Sequence, residues 1–170
     1  MTSKEYIEKT LVIFKPDAVQ RGVVGEILAR FERVGLKIVA MRMEMPTRDQ
    51  YYEHYEDIGK MISRRGEAVF NSVLEFMLDG PVIVMVLEGV DAIDVVRKMV
   101  GSTEPKAAAI GTIRGDYSHI SYGRADSEHK STPNIIHASA DASDAKKEIR
   151  HWFSESDIYD YEIPNEKFTR

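Results

Sequence analysis

The sequence contains no cysteine. This absence excludes a disulfide scaffold, cysteine-ligated zinc, an iron–sulfur cluster and a thiol nucleophile. Long apolar runs are also missing, since none reaches the roughly 20 residues that a membrane span needs. The first ten residues, MTSKEYIEKT, are polar and charged and lack the apolar core of a signal peptide. These absences predict a cytoplasmic protein without a membrane partner.

Positive charge is in the minority. The chain has 23 Lys and Arg residues against 28 Asp and Glu residues, which gives a formal net charge of −5. A general nucleic-acid binder is usually basic, so we expect no specific nucleic-acid partner. An anionic substrate would need positive groups that are gathered locally. The length of 170 residues, with 43% hydrophobic residues, predicts a single domain over residues 1–170.

The usual signatures of nucleotide and metal sites are absent too. The chain has no G-x-x-x-x-G-K-[ST] loop and no G-x-G-x-x-G motif after a strand, which argues against a Walker-type NTPase. His54, His119, His129 and His151 show no repeated spacing typical of metal ligands, so we expect no zinc site.

What the sequence does show is an alternation of strand and helix patterns. Strands are predicted at residues 11–14, 36–45 and 82–87 and at Ile135–Ile136, and helices at residues 24–34, 48–57, 68–78, 91–100 and after Asp141. Residues 58–68 and 121–133 are predicted to be long surface loops. This order indicates an α/β sandwich but leaves open a parallel sheet or an antiparallel ferredoxin-like one.

Three cationic side chains occur where the predicted fold could place them in a crevice. Lys15 ends the first strand, Arg97 lies in a last helical turn, and Arg114 lies within GTIRGDY. Taken singly, Lys15 could be a solvated strand end, Arg97 could complement a helix dipole, and Arg114 could brace Asp116. Together with a histidine, they indicate a phosphate site.

His137 lies at the joint between an extended segment and the last helix, in NIIHASADASDAKKEI. A histidine held structurally by hydrogen bonds is the ordinary alternative. A side chain with a pKa near about 6.5, however, is mostly neutral at pH 7 and can attack phosphorus without a separate base. One ring nitrogen must then be held by an acceptor, and Glu148 is the candidate. The alternative is that Glu148 is a partly exposed helix glutamate paired with Lys or Arg.

The motifs TLVIFKPDAVQRGVVGEI, PVIVMVLEG, VVRKMVGSTEP, GTIRGDY and NIIHASADASDAKKEI resemble those of nucleoside diphosphate kinases, in the same order over nearly the whole chain. The resemblance implies a ferredoxin-like fold, with helices packed on a four-stranded antiparallel sheet. It implies Mg²⁺-dependent ping-pong transfer of the γ-phosphate from a nucleoside triphosphate, mainly ATP, to a nucleoside diphosphate. It also implies a homo-oligomer, a hexamer or alternatively a tetramer.

The resemblance assigns roles to individual residues. His137 is the implied nucleophile, phosphorylated on the pros nitrogen, with Glu148 and Ser139 supporting it. The metal is implied to travel on the nucleotide phosphates, with Asp57 reaching it through water. The implied nucleotide-binding residues are Lys15, Tyr55, Val69, Arg97, Thr103, Arg114 and Asn134.

The sequence departs from the family pattern in three places. Val69 aligns with the phenylalanine on which the family stacks the base, and Phe70 is the neighbouring alternative. Residues 121–133 are longer than the family's usual connection. Ala140 replaces a common aspartate, for which Asp141 could substitute. Base preference and KM therefore stay open.

Two other functions remain alternatives at this stage. A catalytically silent ferredoxin-like module could bind nucleotide as a regulatory signal, without needing His137. A histidine phosphocarrier could instead donate its phosphoryl group to another protein. The fate of a phosphoryl group on His137 distinguishes all three.

Overall fold

The computed structural model describes residues 6–169, so residues 1–5 of the polar amino-terminal stretch lie outside the described part. Its strands are β1 (Ile7–Phe14), β2 (Lys37–Glu44), β3 (Val82–Val90) and β4 (Ile136–Ala138). They form one sheet in the order β2-β3-β1-β4, and every neighbouring pair is antiparallel. This confirms the ferredoxin-like sheet and resolves the choice that element order left open.

Helices connect the strands and cover both faces of the sheet. They are α1 (Pro16–Gln20), α2 (Val24–Arg33), α3 (Arg48–Tyr52), α4 (Met61–Arg65), α5 (Glu67–Met77), α6 (Ala92–Val100), α7 (Ile113–Tyr117), α8 (Tyr122–Ser127), α9 (Ala142–Trp152) and α10 (Glu166–Thr169). The chain continues from α3 into a π-helical turn, Glu53–Ile58. Between residues 6 and 169, none of these helices is long and apolar enough to cross a membrane.

Alternation along β1 divides the interior into two cores. Leu11 and Ile13 face one side, where Leu74 of α5 and Trp152 of α9 join them in a first core. The intervening β1 residues face the other side, toward α2 and α6, in a second core. Because both faces are covered, β1 reads as a continuous apolar run rather than an alternating one.

The two segments predicted to be loops are partly helical, which corrects that prediction. Residues 58–68 contain α4 and the start of α5, and residues 121–133 begin with α8. Helices of five or six residues are too short to produce a recognisable period of 3.6 residues, so the sequence pattern missed them. By contrast, the helix predicted at residues 24–34 is confirmed as α2.

Candidate active site

The backbone immediately before His137 is held in an unusual conformation. Ile135 has φ +72°, which is rare for a β-branched residue. The Ile136 N–H donates to the Asn134 carbonyl at 2.8 Å, which closes a tight γ-turn. The Ile135 N–H donates to Asp17 Oδ2 at 3.0 Å, and the Ile135 carbonyl accepts from the Lys15 N–H at 2.9 Å. The strained turn is therefore fixed from both sides, at the end of β1.

His137 follows this turn in the edge strand β4, opposite Ile13 of β1. Directly opposed residues of antiparallel strands share a face, so the imidazole lies on the side where α9 packs. Its Nε2 lies 3.0 Å from Glu148 Oε1. No hydrogen bond from residues 6–169 engages its Nδ1. The ring is thus tethered at one nitrogen and bare at the other.

Glu148 is buried and uses both carboxylate oxygens. Ser139 Oγ donates to Oε2 at 2.6 Å and accepts from the Leu11 N–H at 3.1 Å. Burial opposes the charged form of Glu148, but the adjacent His137 and the hydrogen bonds outweigh it and lower the pKa to about 2. An ionised Glu148 accepts a hydrogen bond from the Nε2–H of His137, which leaves Nδ1 with its lone pair. Glu148 is therefore a partner of His137 rather than of a surface Lys or Arg.

Lys15 is buried at the end of β1 rather than solvated. Its Nζ donates to Asn134 Oδ1 at 2.7 Å, and Asn134 Nδ2 donates to the Thr103 carbonyl at 2.9 Å. Burial, with a smaller effect from Arg114, lowers the pKa of Lys15 to about 8 against the opposing Asp17. No carboxylate of residues 6–169 forms an ion pair with this ammonium, and a buried cation of that kind is suited to bind an anion.

Arg114 is also buried, and its guanidinium donates to three backbone carbonyls: Gly101 at 3.0 Å, Asn134 at 3.3 Å and Ile136 at 2.7 Å. Burial lowers its pKa to about 10, with Arg97 adding to the effect and Tyr122 opposing it. Asp116 pairs with Arg30 at 2.8 Å, so the suggestion that Arg114 braces Asp116 is wrong. The charge of Arg114 is available to the cavity in front of it.

These groups line one crevice with a volume of about 620 Å³. His137 lies on its wall, and the acidic residues that line it are Glu148 and the partly buried Asp144. Burial and then Asp141 raise the pKa of Asp144. The positive groups around the crevice are Lys15, Arg64, Arg65, Arg97 and Arg114. Such an excess of cations beside a bare imidazole nitrogen suits a polyphosphate.

A second cavity of about 320 Å³ adjoins the crevice and shares Lys15, Tyr55, Thr103 and Asn134 with it. Val69 lines this cavity together with other apolar residues of α4 and α5. Phe70 instead lies in the first core, edge-on to Tyr52 at 5.5 Å, and cannot replace Val69 in the cavity. The structure thus brings all seven predicted nucleotide-binding residues to the two connected cavities, since Arg97 and Arg114 line the first.

Two residues that were predicted to take part in the site do not lie in it. Asp57 is exposed and lines neither cavity. Asp141 accepts a hydrogen bond from the Asp144 N–H at 2.9 Å, because it caps the start of α9. Asp141 therefore does not take the place of the aspartate that is missing at Ala140.

The sequence analysis missed residues that the short helices bring to the second cavity. Tyr122 of α8 lies with its ring 5.1 Å from the Arg65 guanidinium of α4, and its N–H donates to Glu104 Oε1 at 2.8 Å. Both side chains line the second cavity. They come from segments without periodicity, so no pattern in the sequence pointed to them. His54, buried beside His137, was also missed, because it belongs to no spacing motif.

Metal ligands are scarce in this site. Within residues 6–169, the single cluster of three His, Asp or Glu side chains with close ligand atoms is His54, His137 and Glu148, within 4.8 Å of one another. His54 Nδ1 already accepts a hydrogen bond from Trp152 Nε1 at 3.1 Å, and Glu148 holds His137 and Ser139. The donor set does not suit a metal held by the protein alone, although a cation bound to phosphates would fit the crevice.

Comparisons with known proteins agree with this geometry. A family model described as nucleoside diphosphate kinase matches residues 8–158. The chain is 46% identical over 162 residues to a nucleoside diphosphate kinase of Borreliella burgdorferi, covering 94% of this chain and 95% of the relative. It is 46% identical over 155 residues to one of Pyrococcus furiosus, covering 91% and 88%.

Solved structures agree as well. A transition state mimic of nucleoside-diphosphate kinase from Borrelia burgdorferi, with bound vanadate and ADP, has a TM-score of 0.94 to this chain at 44% identity. The match covers 97% of this chain and 98% of that one. An NDP kinase from Pyrobaculum aerophilum has a TM-score of 0.82 at 37% identity, with coverage of 91% and 100%.

Proposed function

Because the chain belongs to the nucleoside diphosphate kinase family, we propose that His137 carries a phosphoryl group from nucleoside triphosphates to nucleoside diphosphates. The activity itself is that of the family, a phosphotransferase acting on nucleotides. The observation that supports His137 is its tether: Nε2 bonds to Glu148 at 3.0 Å while Nδ1 stays free beside the cationic crevice.

In the first half-reaction, the lone pair of His137 Nδ1 attacks the γ-phosphorus in line with the bond to the β-phosphate oxygen. A P–N bond forms, the P–O bond breaks, and the nucleoside diphosphate leaves. In the second half-reaction, the terminal phosphate oxygen of another diphosphate attacks the phosphohistidine and restores free His137. The two steps are the half-reactions of one reversible ping-pong transfer.

Charge in the crevice would stabilise this transfer. Phosphoryl transfer depends mostly on positioning and on positive groups near the equatorial oxygens. Lys15, Arg97 and Arg114 line the crevice for this role, and Thr103 and Asn134 line it with polar groups. Tyr55 is buried there with a hydroxyl that has no partner within residues 6–169, so a phosphate oxygen would supply its missing acceptor.

We propose Mg²⁺ as the cation of this reaction. It prefers oxygen ligands and keeps several waters, so it would arrive on the nucleotide phosphates instead of in a protein cage. The carboxylates of the crevice fit that arrangement, because Glu148 is engaged and Asp144 alone could reach the ion through water. When bound, Mg²⁺ neutralises charge on the phosphates during transfer.

The second cavity would hold the base and sugar. Its apolar wall includes Val69 and Val73, while Tyr122 and Asp126 face it from α8. A base packed against aliphatic side chains is held by contact area and not by edge recognition. We therefore expect several bases to be accepted.

We propose that the chain works as a homo-oligomer, a hexamer or alternatively a tetramer. Met41 and Met43 lie on one side of the edge strand β2, Met45 follows directly after its end, and all three are about half exposed or more. An apolar stripe on an edge strand is a surface that proteins usually cover. Light scattering after size exclusion would give the subunit number, and we expect Met43→Lys to reduce it.

Because nucleoside triphosphates are the substrates, we also propose a cytoplasmic location.

Initial-rate kinetics test the ping-pong proposal. With ATP varied at several fixed concentrations of a second diphosphate such as GDP, double-reciprocal plots should be parallel. Intersecting lines would instead mean that both nucleotides bind together, and a phosphohistidine intermediate would then be unnecessary.

A further inference from the structure

His54 lies in the π-helical turn after α3 and is almost completely buried, at 1% exposure. Its Nδ1 accepts from Trp152 Nε1 at 3.1 Å. Because the indole N–H can only donate, Nδ1 must be unprotonated in the neutral ring, and the proton lies on Nε2. That Nε2 has no hydrogen-bond partner within residues 6–169. A buried donor without an acceptor is unusual and calls for an explanation.

The ring is also kept neutral. Burial, followed by the proximity of His137, lowers the pKa of His54 to about 3, and Glu148 opposes this only in part. His54 therefore does not serve as an acid or base near pH 7, and it adds no second positive charge beside His137.

The two imidazoles are in contact. Their centroids lie 4.7 Å apart and their planes cross at 79°. His54 also lines the crevice that contains His137, Glu148 and Tyr55. Metal binding does not explain this arrangement, because the lone pair of Nδ1 is occupied by Trp152 and Nε2 carries a proton.

A hydrogen bond at Nε2 alone leaves the His137 ring free to tilt about the axis from Cβ to Nε2. A second ring packed at nearly a right angle blocks that tilt. In-line attack tolerates little misplacement, since about 1 Å of error can cost a factor of about 100 in rate. The neighbour that limits the tilt therefore affects the chemical step.

We propose that His54 is a positioning residue for the transfer: held by Trp152 in one tautomer, it packs against the His137 ring and keeps Nδ1 directed into the crevice. The proposal rests on the proposed role of His137. Trp152, His54 and His137 then form one chain of contacts that supports the reacting ring. The hydrogen bond from His137 to Glu148 is a separate tether.

The test compares His54→Asn with His151→Asn. Asparagine retains an oxygen near the Nδ1 position, so it can still accept from Trp152, but it removes the outer part of the ring. His151 packs on the same indole at 5.2 Å but lines neither cavity of the site, which makes it a matched control. Phosphorylation by ATP is followed in single turnovers, with nucleotide affinity and thermal midpoint measured alongside.

We expect His54→Asn to slow phosphorylation about 10- to 100-fold with ADP affinity within about twofold of wild type. His151→Asn should keep the wild-type rate. In wild-type protein, the Cε1 proton resonance of His137 should be sharp, and in His54→Asn it should broaden through ring motion. A normal rate with a normal resonance in folded His54→Asn would overturn the proposal.

If His54→Asn does not fold, the imidazole ¹⁵N chemical shifts of the wild-type protein still test the proposal. We expect a protonated Nε2 and an unprotonated Nδ1 in His54, and the reverse tautomer would overturn the proposal. Failure of the underlying function would look different, because wild-type protein itself would then carry no phosphoryl group on His137.

Discussion

Glu148 binds His137 and Ser139 with different oxygens, at 3.0 Å from Nε2 and 2.6 Å from Oγ. The carboxylate therefore cannot turn without breaking one of the two contacts. Ser139 is itself held by the Leu11 N–H of β1. The position of the imidazole Nε2 is thus held by a chain of contacts that begins in the central sheet.

Replacing Glu148 by Gln should lower kcat about 100-fold while changing KM little. The amide is neutral and cannot stabilise the developing charge on the ring, and its NH₂ group competes for the place of the accepting oxygen. Steady-state kinetics with ATP and a second diphosphate would measure this. Glu155→Gln, an exposed site on a different turn, is the control and should behave as wild type. Equal kcat values for the two variants would contradict the role of Glu148.

Nucleotide affinity should weaken as the pH rises above about 8. In the free protein Lys15 has a pKa of about 8, and the phosphates favour its charged form. Below that pH Lys15 is already charged, so its effect on binding is constant; above it, binding requires proton uptake and Kd rises up to about tenfold per pH unit.

Calorimetric titration with ADP between pH 7 and 9.5 would measure this dependence, because adenine does not ionise in that window. Lys15→Met should bind ADP weakly, with a Kd that is flat over the same range. A wild-type Kd that stays constant to pH 9.5 would show that Lys15 does not contact the phosphates.

Val69→Phe should strengthen nucleotide binding. An aromatic ring on the cavity wall adds base stacking, which contributes roughly 1–3 kcal/mol per base. We expect KM for nucleoside triphosphates to fall about 3- to 10-fold, similarly for purines and pyrimidines, with kcat nearly unchanged. A rise in KM would mean that the base does not pack against Val69.

Tyr122→Ala should raise KM without lowering the rate of phosphorylation at saturating nucleotide. The Tyr122 ring is covered by Arg65 at 5.1 Å and lines the second cavity, away from His137. The size of the increase should differ between bases if α8 contacts the base edge. Tyr159→Ala, at an exposed position far along the chain, is the control.

The sequence predicted the sheet, and it named site residues that the structure brings together around two connected cavities. Strands such as β3 have long apolar runs bounded by turn residues, so their pattern is local. Lys15 and Arg97 were predicted as phosphate-binding cations because they end predicted elements, and Arg114 was added from its place in GTIRGDY. The motif around His137 also carried the resemblance to the family. That resemblance predicted an antiparallel sheet, which the order of the elements alone had left open.

What the sequence did not predict depends on long-range contact. The Tyr122 and Arg65 pair joins two short helices that leave no periodic signal. His54 depends on Trp152, 98 residues away, and no spacing rule connects them. Phe70 is an ordinary core residue in the structure, and only its packing against Tyr52 shows that it cannot take the place of Val69.

The central claim is that His137 is the phosphoryl carrier. The most direct measurement is incubation with γ-labelled ATP and Mg²⁺ without acceptor, followed by a chase with GDP, on wild type and His137→Ala. The account predicts acid-labile, base-stable label on wild type only, which passes to GTP in the chase. ATP binding without label, or equal label on His137→Ala, would contradict it.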